Sequence, residues 1–273
     1  MPKENLLKGR VALITGGGGE IGGAIARVFA AEGASVALAD IRGDAAEKLA
    51  AEIAKSGGKA FAISANVADA RDAERAVQDT ARHFGKLTTL VNVAAAVTPD
   101  GTVETLSLED WNKTFAVNLT AVFLMCKYAV PEIREAGGGT IVNIASQLGH
   151  IGVPGRAPYS ASKAALIQFS KCLAVDHARD DIRVNSISPG AIDTARTLRR
   201  YKSRDAANAA RGRSNLLGRT GRPEEVAEAA LFLASELSSF VTGADLVADG
   251  AYLAFKGTLP PHSGPTDPSR GGA

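Results

Sequence analysis

Short runs of apolar and β-branched residues alternate along the chain with longer stretches whose apolar positions recur every three to four residues. The short runs read as buried strands and the longer stretches as amphipathic helices. Strands are expected at Val11–Thr15, Ser35–Asp40, Ala60–Ser64, Leu87–Val93, Thr140–Ala145, Ile182–Ser188 and Asp245–Ala248. Helices are expected between them, at Ile21–Glu32, Asp44–Lys55, Ala70–Phe84, Trp111–Glu135, Tyr159–Ala178 and Pro223–Ala234. Most of these helices run into glycine, at Gly33, Gly57-Gly58, Gly85 and Gly137-Gly138-Gly139, where a left-handed terminating residue is wanted.

Strand–helix alternation with apolar strands implies an α/β fold, a doubly wound parallel seven-stranded sheet with helices on both faces. The 273 residues suit a single domain over residues 1–255. Residues 256–273, rich in Pro, Gly and Ser, read as a mobile tail. Hydrophobic residues make up 45% and aromatics 5%, which favours helices packed closely on a sheet over an aromatic binding surface. A net charge of +2 gives no reason to expect nucleic acid or an anionic membrane as a partner. Cys126 and Cys172 sit in apolar stretches and are expected to be buried free thiols in a reducing compartment. No clustered Cys/His spacing supports a metal. The N-terminus lacks a secretory leader, and no apolar run approaches a bilayer span, so a cytoplasmic protein is expected.

The first strand runs through Thr15-Gly16-Gly17-Gly18-Gly19-Glu20-Ile21-Gly22 into the first helix. Glycines there let the backbone approach a pyrophosphate, and the helix N-terminus offers unpaired N–H groups. Asp40 ends the second strand, 18 residues past Gly22. A carboxylate at that place accepts the hydroxyls of an adenosine ribose and repels a 2′-phosphate, which selects NAD, although Arg42 follows closely. Asn66-Val67 and Asn92 to Ala95 close the third and fourth strands at the same edge of the sheet.

Tyr159 and Lys163 stand four apart at a helix start and share a face. A neighbouring ammonium lowers the pKa of a phenol and makes it a usable acid/base. Tyr-x-x-x-Lys alone is common, but its surroundings add weight. Thr15 to Gly22, Asp40, Asn118, Ser146, Tyr159-Ser160-Ala161-Ser162-Lys163 and Pro189-Gly190 occur in the order and spacing of the short-chain dehydrogenase/reductase family. The chain resembles that family from about residue 8 to about residue 253.

The resemblance implies a Rossmann-like fold and hydride transfer between NAD(H) and a secondary alcohol or ketone. It implies a catalytic set of Asn118, Ser146, Tyr159 and Lys163. Ser146 would hold the substrate oxygen, Asn118 a water in a proton relay, and Lys163 the nicotinamide ribose. The dinucleotide would lie along Gly16, Gly19, Glu20, Ile21, Gly22, Asp40, Ile41, Asn66, Val67, Asn92 and Ala94. Its nicotinamide end would meet Tyr159, Lys163, Pro189, Gly190, Ile192 and Thr194. Three positions depart from the family pattern. Glu20 replaces the middle glycine of TGxxxGxG and is expected to point outward. Asn92-Val93-Ala94-Ala95 replaces NNAG, and Asn66-Val67 replaces Asp-Val. A homotetramer is implied as well, packed through the long fourth helix, the Tyr–Lys helix and the C-terminal strand.

The segment from about 191 to 218 corresponds to the family's substrate lid. Between Ala195 and Arg222 nine basic residues are opposed only by Asp205. Arg156 with Arg196, Arg199 or Arg200 would suit an anionic substrate. The alternative is a solvated, positively charged lid that makes no substrate contact. Gln147 and His150 are further candidates for the substrate mouth, and Trp111 is expected to anchor the long helix on the core. Two rival functions remain open: an NADPH-linked 3-oxoacyl thioester reductase, which Asp40 opposes, and a catalytically silent dinucleotide sensor.

Overall fold

A computed structural model describes residues 5–96, 99–195, 197, 201–211 and 215–255. The strands are β1 (Val11–Thr15), β2 (Ser35–Asp40), β3 (Lys59–Ser64), β4 (Thr89–Asn92), β5 (Gly139–Ile144), β6 (Ile182–Pro189) and β7 (Asp245–Ala248). They form one parallel sheet in the order β3-β2-β1-β4-β5-β6-β7. Every residue of β1, β4 and β5 is buried. Helices cover both faces, so these strands are apolar runs rather than alternating ones.

The helices are α1 (Glu20–Ala31), α2 (Gly43–Lys55), α3 (Ala70–Phe84), α4 (Leu108–Phe115), α5 (Ala121–Glu135), α6 (Ala157–His177), α7 (Arg204–Arg211) and α8 (Pro223–Ala234). One core joins the sheet to α1, α2 and α8, among them Ile25, Phe29, Leu49, Ile53 and Leu233. The other joins it to α3, α5 and α6 through Val77, Met125, Ile133, Leu166 and Leu173. The strand order reverses beside β1, which pairs with β2 on one side and β4 on the other. Ligands of open α/β sheets bind at the carboxyl ends of such a switch point. The Thr15 hydroxyl holds that point together by accepting the N–H groups of Val93 (3.0 Å) and Ala94 (3.2 Å).

The long fourth helix differs from expectation. It begins at Leu108 because Ser107 caps it, its hydroxyl accepting the Asp110 N–H at 3.0 Å. A π-helical turn, Ala116–Thr120, then interrupts it before α5. Trp111 is 38% exposed and stacks on Phe115 at 4.7 Å, so it does not anchor the helix in the core. The stretch Leu108–Glu135 is long and apolar enough to cross a bilayer, but 44% of its most apolar window is buried inside the protein. Helix α7 lacks an apolar run and was not expected from the pattern. The supposed tail, 256–273, lies outside the described residues.

The cysteines differ from one another. Cys126 is buried beneath the sheet, and burial pushes its thiol up to about 12 despite the Asn92 amide beside it. Cys172 is exposed, contrary to the expectation that both are buried, because it sits on the outer side of α6. A thiol reagent should therefore label one cysteine in the folded protein and a second only in denaturant. Counting labelled sites by mass spectrometry with and without guanidinium checks this.

Candidate active site

A cleft of about 900 Å³ opens at the carboxyl ends of the central strands. Ser146, Tyr159, Lys163, Pro189, Gly190 and Thr194 all line it. Tyr159 and Lys163 come from the first two turns of α6, which Pro158 helps to start. The Lys163 ammonium lies 5.9 Å from the centre of the Tyr159 ring and donates to the Ile144 carbonyl at 2.7 Å. Only 2% of Lys163 is exposed, and burial lowers its pKa from 10.5 to about 8.

Ser146 follows β5 in extended conformation and caps the short turn Gln147–Gly149. Its hydroxyl oxygen accepts the Leu148 N–H at 3.2 Å, which leaves its O–H free to donate. The turn lies tightly on α6. A Cβ on Gly149 would come within 3.0 Å of the Lys163 carbonyl carbon and the Ala164 nitrogen, so this glycine fixes the distance between serine and lysine. Asn118 sits in the π-helical turn, fully buried. Its Oδ1 accepts the Ala96 N–H (2.8 Å) and its Nδ2 donates to Ser162 Oγ (3.1 Å). Ser162 in turn donates to the Tyr159 carbonyl at 2.8 Å. Asn118 thus ties the end of β4 to the first turn of α6. Single π-helical turns recur at functional sites for the reason seen here: they re-aim one side chain without ending the helix.

The residues on the other side of the switch point fit a dinucleotide. Gly19 precedes α1 and no side chain caps the helix, so its first N–H groups face outward unpaired. Gly22 packs so closely that an added Cβ would meet the Gly16 carbonyl oxygen at 2.2 Å. The Asp40 carboxylate accepts the N–H groups of Gly18 and Arg42, each at 2.9 Å, and is itself 6% exposed. Ile41 beside it is 70% exposed, an apolar surface on which a base can rest. Asp40, Ile41 and Asn66 lie along the strand ends beyond the cleft lining, whereas Ile21 and Ile192 are within it. Glu20 crosses toward the lid, and both of its oxygens take the Ala195 N–H, at 2.7 and 2.9 Å.

Several expected contacts fall elsewhere. The Asn92 side chain turns inward, where it donates to Asn143 Oδ1 at 2.8 Å, and Asn143 donates to Ser170 at 2.9 Å. Asn92 therefore stitches β4, β5 and α6 together and does not line the cleft. Val67 is the exception: its side chain is buried in the core, which is compatible with a contact through its backbone, the part expected to meet adenine. The Asn66 Oδ1 already accepts the Ala68 N–H at 3.2 Å. His150 faces the sheet edge, with Nε2 2.8 Å from Asp245 and 3.3 Å from Ser188, and does not line the cleft. Arg156 does line it, but its guanidinium is paired with Asp100 at 2.8 Å. Arg196, Arg199 and Arg200 lie outside the described residues. Two arginines of the basic segment are already engaged: Arg204 with Asp193, and Arg219 with Glu225. Asn215, Asp249 and Tyr252, none of them expected from the sequence, wall the cleft from the chain before α8 and after β7. Only the Asp-Gly pair after β7 hinted at a turn there.

A family model described as enoyl-(acyl carrier protein) reductase matches residues 18–252. The chain is 41% identical over 255 residues to the 2,5-dichloro-2,5-cyclohexadiene-1,4-diol dehydrogenase of Sphingobium indicum, covering 91% of this chain and 98% of that one. It is 41% identical over 248 residues to the cyclohexanol dehydrogenase of Acinetobacter sp. strain SE19, covering 91% and 96%. The crystal structure of a short-chain type dehydrogenase/reductase from Mycobacterium marinum superimposes with a TM-score of 0.84 at 37% identity, covering 90% and 96%. The chain belongs to the short-chain dehydrogenase/reductase family. Dehydrogenases of this family use nicotinamide cofactors.

The buried lysine makes stability depend on pH. Its folded pKa of about 8 lies below the 10.5 of the unfolded chain, so between those values the unfolded state binds more protons. The cost of holding this charge is full below about pH 8 and fades toward 10.5. Relative to the wild type, Lys163→Met should gain about 2–3 kcal/mol at pH 7 over its standing at pH 10. Urea unfolding of both proteins at the two pH values checks this, and a difference that does not change with pH would contradict it.

Proposed function

We propose that this protein interconverts a secondary alcohol and a ketone, with NAD(H) as the cofactor and Tyr159 as the general acid/base. The observation that carries this reading is the convergence of Ser146, Tyr159 and Lys163 on one cleft at the switch point of the sheet. A bound nicotinamide supplies the acceptor or donor of the hydride. The Lys163 ammonium stands beside the Tyr159 phenol, whose oxygen takes the alcohol proton in oxidation and returns it in reduction. The Ser146 O–H donates to the substrate oxygen and steadies it as its charge changes. Ile144 occupies one of the three N–H donors of Lys163. The others would hold the nicotinamide ribose and a relay water beside Asn118, which would carry the proton toward solvent.

NAD is favoured over NADP because a 2′-phosphate would meet the Asp40 carboxylate at the end of β2. Arg42, its side chain 63% exposed and 3.7 Å from that carboxylate, offsets this in part. A neutral substrate is favoured over an anionic one, since Asp100 already engages Arg156. The cyclic alcohols named for the two relatives are reasonable first substrates for this cleft, whose wall includes Leu148, Val153 and Pro154. The same reading includes a cytoplasmic homotetramer. Phe123 on α5 and Val175 on α6, 48% and 79% exposed, offer apolar surface for it.

The test is NADH absorbance with a panel of secondary alcohols and ketones. Tyr159→Phe should lower kcat/KM by roughly 10²–10⁴-fold, while fluorescence titration still detects NADH binding. A variant that keeps wild-type turnover overturns the role of Tyr159. Cofactor binding without turnover of any alcohol or ketone would favour the silent sensor. In the same assay Asp40→Ala should shift the NAD/NADP ratio of kcat/KM toward NADP by about tenfold or more. A wild type that prefers NADP would remove the basis for NAD.

A further inference from the structure

The wall of the cleft formed by Gln147, Gly190, Asn215 and Asp249 carries two unused acceptors. Asn215 Oδ1 and Gln147 Oε1 are buried and accept no hydrogen bond from the described residues. Both residues line the cleft that Ser146 and Tyr159 line. Asn215 is 6% exposed, and its Nδ2 donates to the Arg219 carbonyl at 2.9 Å. That bond fixes which way round the amide lies and leaves the oxygen as the spare atom. The Oδ1 lies 3.1 Å from where a Cβ on Gly250 would stand. The Gln147 Oε1 lies 3.0 Å from the Cβ position of Gly190, which itself abuts Asp249. The two oxygens therefore border one short floor of backbone, Gly190 against Asp249-Gly250. The carboxylate of Asp249 is oriented by the N–H groups of Tyr252 (3.1 Å) and Leu253 (2.8 Å), which it accepts.

A buried carbonyl oxygen with no donor is unfavourable, and a ligand that donates to it gains what the free protein lacks. Ser146 and Tyr159 already account for the oxygen at the reacting carbon, so a donor for this wall must come from another part of the substrate. We propose that Gln147 and Asn215 form a second polar subsite that accepts a hydroxyl from a carbon other than the one oxidised, so that diols and polyols are the preferred substrates. This rests on the dehydrogenase reading above and narrows it. A simple cyclic alcohol leaves both acceptors unpaired. A site built to bind a hydroxyl discriminates against the analogue that lacks it. The diol named for one of the relatives has this chemistry, whereas the monoalcohol named for the other does not.

The experiment compares kcat/KM for cyclohexanol with that for 1,2- and 1,4-cyclohexanediols, using NAD and the full chain. The wild type should prefer at least one diol by about tenfold or more, and the spacing that wins reports how far the subsite lies from the reacting carbon. Asn215→Leu should bring the diol-to-monoalcohol ratio toward one. Gln147→Met should do the same, and it gives up no hydrogen bond within the described residues, so it decides the matter should the first variant fold poorly. Oxidation of cyclohexanol without any diol preference overturns the subsite and leaves the dehydrogenase reading standing. A diol preference that neither variant moves, or losses found equally on cyclohexanol or in the KM for NAD, also overturns it. Turnover of none of these alcohols removes both readings together.

Discussion

A single ammonium, Lys163, is buried where strand β5 meets helix α6, and the site is arranged around that charge. An unpaired charge at 2% exposure would be prohibitively unfavourable, so the protein gives it the Ile144 carbonyl and little else. The consequence is a lysine whose pKa burial lowers to about 8, placed over a phenol ring on its own helix. Neighbouring elements are placed to keep it there. The turn after Ser146 lies against the lysine backbone with no room for a side chain at Gly149. The π-helical turn presents Asn118 to Ser162 and fixes the first turn of α6 from the opposite side. Behind the sheet, Asn92, Asn143 and Ser170 join β4, β5 and α6 in a buried polar chain. That kind of network makes one arrangement of strands and helix more favourable than its neighbours.

The parts of this arrangement that are local in the chain are legible in the sequence alone. Val11–Thr15, Ser35–Asp40 and Asp245–Ala248 are strands as their apolar runs implied, and Ala70–Phe84 and Pro223–Ala234 are helices with the expected ends. The glycine turn, Tyr159 and Lys163 are equally local. The missed features depend on partners far away in the chain. Asn92 stands at the strand end where a cofactor contact is plausible, but its direction was decided by Asn143, which is 51 residues away. His150 follows Ser146 closely, yet Asp245 across the sheet edge draws it off the cleft. Cys172 lies in an apolar stretch, and only the rotation of α6 shows that it faces out. The π-helical turn has no compositional mark, because Ala-Val-Asn-Leu-Thr suits an ordinary helix as well.

The charge of the lid shows how counting can mislead. Nine basic residues against one acid suggest an anion trap, but the count stopped at the segment boundaries. Asp193 lies just before the segment and Glu225 just after it, and they take Arg204 and Arg219. Asp100, from the loop after β4, takes Arg156. Ion pairs as exposed as those of the lid contribute little stability, but they do decide which guanidinium groups remain available to a ligand.

Glu20 joins two segments distant in sequence. A glycine at that position would leave the turn before α1 and the chain after β6 without this tie. Here both carboxylate oxygens accept the Ala195 N–H. Hydrogen bonds to charged groups contribute roughly 1.5–3 kcal/mol, and this one is exposed, so the lower end of that range applies. A bond of that strength shifts the balance between joined and separated arrangements of these two segments by about tenfold, through one side chain where the family pattern has none.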